Sequence, residues 1–135
     1  PDEETLVIEK RKHTMTLLNA YPYTSGHLLV VPRRPINKID DLSDEEYRSL
    51  WLMVRDAGTA IQTAFSPQGI NIGLNEGEAA GAGVPEHIHV HVLPRWSGDT
   101  NFMTTTANTR VVPESLVQTW KRLKKVWPEE RWVDS

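Results

Sequence analysis

The sequence predicts an α+β fold: about five antiparallel strands, one long helix and a short C-terminal helix. Three observations carry this reading. Short apolar runs bounded by turn residues recur at 6–8, 15–18, 27–32, 70–74 and 87–93. A stretch with a capping signal and three- and four-residue apolar spacing lies between the third and fourth runs. The first three runs are separated by short connections, which makes an antiparallel meander the simplest topology.

In chain order, residues 6–8 and 15–18 suit the first two strands. Residues 21–26 then carry turn chemistry, with Pro22 fixing φ and Gly26 permitting positive φ. Residues 27–32, His-Leu-Leu-Val-Val-Pro, read as a buried strand ended by a proline. Ser43 and Glu46 have the spacing of a capping box. Leu50, Met53, Val54, Ala57, Ala60, Ile61 and Ala64 follow on one helical face, ending near Phe65. Pro67 and Gly69 break that helix. A strand over 70–74 leads into a loop rich in Gly and Ala at 75–83, and a last strand covers 87–93. Residues 95–113 are irregular and polar. The final helix spans 114–126, with Leu116, Val117, Trp120, Leu123 and Val126 as its apolar stripe.

At 135 residues the chain fits a single domain, 1–135, with a C-terminal extension. Fifteen Lys and Arg against eighteen Asp and Glu leave a net charge of −3, which argues against a general nucleic-acid binder. A hydrophobic share of 39% with 24% charged residues suits a packed core. No apolar run approaches the roughly 20 residues of a membrane span. The acidic start has no signal-peptide pattern, so a cytoplasmic setting and no membrane partner are expected. The chain has no cysteine, which excludes disulfides, a thiol nucleophile and thiolate zinc sites within these residues. The basic run at 121–125 reads as a solvated helix face. Trp120, Trp127 and Trp132 are expected to dock the tail, Trp96 to pack, and Arg95 to meet either phosphate or a surface carboxylate.

Three of the five histidines, His87, His89 and His91, occupy alternate positions. In a strand they share one face, with Cα atoms roughly 6.5–7 Å apart, while Ile88, Val90 and Val92 enter the core. A row of three imidazoles is hard to explain by packing. Two chemistries compete: a metal site built on alternate histidines, and a neutral imidazole attacking phosphorus. No acidic ligand follows before Asp99, and the glycine-rich loop upstream suits phosphate. That loop lacks the Gly-Lys-Ser/Thr ending of a nucleotide P-loop, so it carries little weight by itself.

The pattern His-φ-His-φ-His-φ-φ, with φ apolar, resembles the signature of the histidine-triad (HIT) family of nucleotide hydrolases and transferases. Asn19, the Gly26-His27 strand, the helix start at 41–46 and Asn75-Glu-Gly77 match further family blocks in order. Residues 94–103 are similar to a bacterial branch that includes diadenosine tetraphosphate phosphorylases. The resemblance covers nearly the whole chain.

The resemblance implies a HIT-like fold and a nucleotidyl hydrolase or transferase acting at the α-phosphate of nucleoside polyphosphates. His89 is then the nucleophile that forms a nucleotidyl-histidine intermediate. His91 stabilises charge on the phosphate, and His87 and His27 orient these rings. Asn19 holds the ribose, Leu17 and Leu18 either wall the base or pack in the core, and Asn75, Gly81 and Gly83 contact phosphate. No cofactor is required by this scheme. Relatives often carry an N-terminal cysteine pair that binds zinc with histidines; here zinc would need ligands from a segment upstream of Pro1. The loop before the histidines supplies no hydroxyl or amide side chain to help the leaving group, which passes that role to backbone, water or Glu86. A homodimer with sheets joined across a two-fold axis is also implied. The alternatives are a nucleotide sensor without turnover and a metal-dependent enzyme using the histidine row.

Overall fold

A computed structural model describes residues 5–20, 26–82, 87–98 and 114–130. Strands β1 (Val7–Lys10), β2 (Thr14–Leu18), β3 (Leu28–Pro32), β4 (Gly69–Leu74) and β5 (Val90–Arg95) form one sheet in the order β1-β2-β3-β5-β4. Every neighbouring pair is antiparallel. The first three strands are the expected meander, and β5 returns to insert between β3 and β4.

Helix α1 (Asp44–Phe65) lies across β2, β3 and β5 on one face of the sheet. It starts where the sequence places it. The Ser43 hydroxyl accepts from the Glu46 amide at 3.1 Å, and the Glu46 carboxylate accepts from the Ser43 amide at 2.8 Å. The Arg34 guanidinium grips the same carboxylate through two bonds, at 2.7 and 3.0 Å. That grip, added to the bonds from Ser43, lowers the Glu46 carboxyl to about 2. Leu50, Met53, Val54, Ala57, Ala60 and Ile61 are buried as the spacing requires. They meet Ile8, Leu18, Leu28, Val30, Val90 and Val92 from the sheet. Full burial of side chains the size of Leu50, Met53 or Ile61 stabilises by roughly 1.5–3 kcal/mol each.

The C-terminal helix α2 (Leu116–Val126) begins after Ser115, whose hydroxyl caps the amide of Gln118. It adds Leu123 to the core. It also covers the outer edge of the sheet: the Trp120 indole donates to the Val7 carbonyl at 2.8 Å, and the Lys124 ammonium to the Ile8 carbonyl at 2.7 Å. Trp120 and Trp127 thus dock this end as expected, and Trp132 lies outside the described residues. At the opposite edge, β4 keeps Asn71, Ile72 and Gly73 exposed.

One glycine is dictated by both backbone and space. Gly26 has φ +87°, and a Cβ there would stand 2.8 Å from the Phe65 ring at the end of α1. A side chain at this position meets strain and overlap together. The chain can therefore turn tightly against α1 immediately before His27.

Candidate functional site

The two faces of the sheet have different tasks, and strand parity assigns them. Leu18, Leu28 and Val92 align across β2, β3 and β5 on the face that α1 covers. Leu17, Leu29 and His91 align on the other face. The alternation continues upstream of β5: Ile88, Val90 and Val92 are buried, while His87, His89 and His91 are half-buried on the opposite side. By the same parity Asn19 and His27 belong to the histidine face.

The ladder stops earlier than the histidine row does. The sequence extends the strand over 87–93, whereas regular pairing begins at Val90. On one side β4 runs out at this level, since its last residue, Leu74, pairs with Val90; on the other, β3 continues past Val30, the second partner of Val90, to Pro32. Pro32 ends β3 and has no amide hydrogen to offer. Its carbonyl accepts instead from His87 Nε2 at 2.8 Å. The Ile88 amide donates to the Ile36 carbonyl at 2.7 Å, so the segment stays extended beside the β3–α1 connection.

Those carbonyls fix protons. A carbonyl oxygen can only accept, so His87 carries its hydrogen on Nε2. His89 Nδ1 lies 3.2 Å from the His87 carbonyl and must donate to it. In the neutral ring, His89 Nε2 is then the lone pair. The His91 ring stands edge-on to His89, with centroids 4.8 Å apart. On its far side His91 Nδ1 meets His27 Nε2 at 2.9 Å, with ring centroids at 5.1 Å. His27 Nδ1 in turn lies 3.3 Å from the Asn19 amide nitrogen. The backbone holds this last pair, because the Asn19 amide donates to the His27 carbonyl at 2.9 Å.

Burial, reinforced by the His91 and His89 rings, holds His27 at a pKa of about 4. Burial and His89 lower His91 as well. Both rings are therefore neutral at pH 7. This has a consequence for stability. The unfolded chain protonates His27 near its ordinary 6.5, while the folded chain resists until about 4. Between those values the unfolded state binds more protons, so stability is full above the window and falls as pH falls through it. Urea midpoints should decline from about pH 7 toward about pH 4, and a His27→Gln variant should decline less. A flat wild-type profile over that range contradicts a neutral, buried His27.

The remaining candidates divide. Leu18 is 1% exposed in the core under α1, which corrects its assignment to the nucleotide base. Its neighbour Leu17 is the half-buried residue on the histidine face. The cause is parity: adjacent strand residues cannot both face the site. Asn75 follows directly after Leu74, the partner of Val90, so it leaves the sheet level with His89, and it is exposed. Gly81 closes a single 3₁₀ turn (Glu78–Ala80) with φ +91°. Gly83 and Glu86 lie outside the described residues. Arg95 donates to the Asn71 side-chain oxygen at 2.7 Å. Among the described residues, no three His, Asp or Glu side chains are arranged to hold a metal ion. Sequence reasoning missed the two carbonyls, of Pro32 and His87, and the Asn19–His27 contact. The last had a signal: a hairpin pairing residues 18 and 28 also places 19 beside 27.

The family model described as HIT domain matches residues 1–98, well over half of the chain and inclusive of all four site histidines. The AP-4-A phosphorylase of Mycobacterium tuberculosis is 42% identical over 129 residues, covering 96% of this chain and 66% of that protein. The bis(5'-adenosyl)-triphosphatase of Dictyostelium discoideum is 35% identical over 82 residues, covering 61% of this chain and 54% of that protein. The chain thus spans less than two thirds of the length of either relative. The crystal structure of the C. elegans NitFhit protein superposes with a TM-score of 0.72 at 25% identity, covering 88% of this chain and 26% of that one. In sequence and in fold, the chain belongs to the HIT family.

Proposed function

We propose that this protein is a nucleotidyl hydrolase or transferase that acts on dinucleoside polyphosphates or related nucleotide conjugates through a covalent nucleotidyl-His89 intermediate. The observation that carries this reading is the bond from His89 Nδ1 to the His87 carbonyl. It orients a lone pair on His89 Nε2, beside the His91 imidazole, on the face of the sheet opposite α1. The names of the mycobacterial and Dictyostelium relatives support the substrate class.

His89 Nε2 attacks the α-phosphorus, the N–P bond forms, and the P–O bond to the β-phosphate breaks. The leaving nucleotide keeps the electron pair. Water or inorganic phosphate then attacks the same phosphorus and returns the electron pair to Nε2, its proton passing to solvent. His91 stabilises charge on the phosphate oxygens. Asn19 and Leu17 line the route for the ribose and base, and Asn75 with the turn at Gly81 receives the phosphates. The scheme requires no metal or other cofactor.

The expected partners are a nucleotide and a second copy of this chain. Helix α2 occupies the β1 edge, whereas β4, with Ile72 51% exposed, is the edge open to sheet extension among the described residues. Light scattering reads the resulting mass directly. No helix among the described residues is long and apolar enough to cross a membrane, and a cytoplasmic setting is part of the proposal.

Incubation with diadenosine tetraphosphate, with and without inorganic phosphate, tests the chemistry. Attack at an α-phosphorus expels ATP in both cases. The second product should be AMP with water as acceptor and ADP with phosphate. Symmetric cleavage to two ADP without added phosphate contradicts α-attack.

A further inference from the structure

We propose that Asn19 is a positioning residue that sets the proton of His91, acting through His27, so that His91 presents an N–H rather than a lone pair to the substrate. The catalytic half of this inference rests on the nucleotidyl-transfer reading above; the protonation half concerns the free protein alone.

The argument starts from what the carbonyls leave undecided. His87 and His89 each bond a backbone oxygen, and this fixes the tautomer of both. The His27–His91 contact joins two ring nitrogens, 2.9 Å apart, and either could be the donor. A third group must break that symmetry. Asn19 Nδ2 does so at 3.3 Å, because an amide nitrogen donates and cannot accept. His27 Nδ1 is therefore the acceptor. A neutral imidazole has one hydrogen, which then lies on His27 Nε2 and is donated to His91 Nδ1. His91 in turn carries its own hydrogen on Nε2. Adjacent rings end up with opposite faces: a lone pair on His89 Nε2 and an N–H on His91 Nε2. A nucleophile beside a donor to the phosphate is the pairing that phosphoryl attack needs.

The direction of the chain hangs on one side chain, and substituting it reverses the logic. An aspartate at position 19 keeps similar size and can still accept from ribose hydroxyls. Its carboxylate can only accept, so His27 must place its hydrogen on Nδ1. Once the rings are neutral, His27 Nε2 becomes the acceptor, His91 donates from Nδ1, and His91 Nε2 becomes a lone pair.

Two-bond ¹H–¹⁵N spectra of histidine-labelled protein read this without substrate. The wild-type protein should show His27 and His91 both protonated on Nε2. Asn19→Asp, at alkaline pH where the imidazoles are neutral, should show both protonated on Nδ1. Should that variant fail to fold, Asn19→Ala should move both rings to averaged tautomer shifts. In turnover, Asn19→Asp should lower kcat by roughly 10²–10³-fold, the usual effect of losing one donor, with KM little changed. A ribose-holding role alone would move KM instead. A wild-type His91 protonated on Nδ1, or tautomers unmoved in Asn19→Asp and Asn19→Ala, overturns the proposal. So does an inverted His91 with normal kcat. Expected tautomers in a wild-type protein that transfers no nucleotide would sink the functional reading and leave the protonation assignment standing.

Discussion

Replacing His89 by alanine should reduce nucleotidyl transfer by roughly 10⁶-fold, the scale of loss seen when an enzyme is deprived of its nucleophile. No other ring can take over. His87 Nε2 is committed to the Pro32 carbonyl, and His91 Nδ1 to His27. His91→Ala should cost less, roughly 10²–10³-fold, because it removes a stabilising donor and leaves the attacking atom in place. Its defect should shrink on substrates with better leaving groups. His87→Ala should be the mildest, since the His87 contribution to His89 is a backbone carbonyl that alanine retains. Rapid quench of the wild-type reaction should give acid-labile, base-stable nucleotide on His89, located by mass spectrometry. Label on His87 or His91, or a His89→Ala protein with near-normal turnover, removes the covalent mechanism.

The ranking of these three histidines was partly visible in the sequence and partly not. Period-two alternation at 87–92 placed three imidazoles on one face, and burial follows it residue by residue. The helix was legible to its first residue because the Ser43–Glu46 box is a local signal that needs no tertiary contact. Long-range choices were not legible. Pattern alone could not say that β5 inserts between β3 and β4, nor that regular pairing stops at Val90 while the histidine row continues. It could not separate Leu17 from Leu18, because which of two adjacent leucines faces the site depends on register. The proton pattern was the least legible. It comes from two carbonyls and one amide, and backbone oxygens have no residue type to read.

Asp56 gives the largest stability prediction and is a second feature the helical pattern hid. It lies on α1 among Met53, Ala57 and Ala60, yet only 2% of its side chain is exposed. Its carboxylate meets the Arg11 guanidinium, itself 3% exposed, at 2.8 Å. Arg11 belongs to the β1–β2 turn, so this pair ties the helix that supports the histidine sheet to the first hairpin. Among the described residues, Asp56→Ala leaves the buried guanidinium with a longer ion pair to Glu9 at 3.4 Å and a marginal contact to the Pro128 carbonyl at 3.5 Å. Breaking a buried pair costs roughly 3–5 kcal/mol when the remaining charge is uncompensated, and the long, partly exposed Glu9 contact offsets only part of that. Against a total stability on the order of 5–15 kcal/mol for a domain of this size, that is a large fraction. The Arg34–Glu46 pair has shorter bonds, but Arg34 is mostly exposed and solvent screens it, so Arg34→Ala should matter far less. Urea unfolding of both variants compares them directly. The double variant Arg11→Met/Asp56→Leu should recover most of the loss, because it removes both charges and fills their place with apolar side chains. A small loss in Asp56→Ala would mean that Glu9 or water compensates the Arg11 charge. A large loss with no recovery in the double variant would mean that α1 depends on the shape of the aspartate rather than its charge.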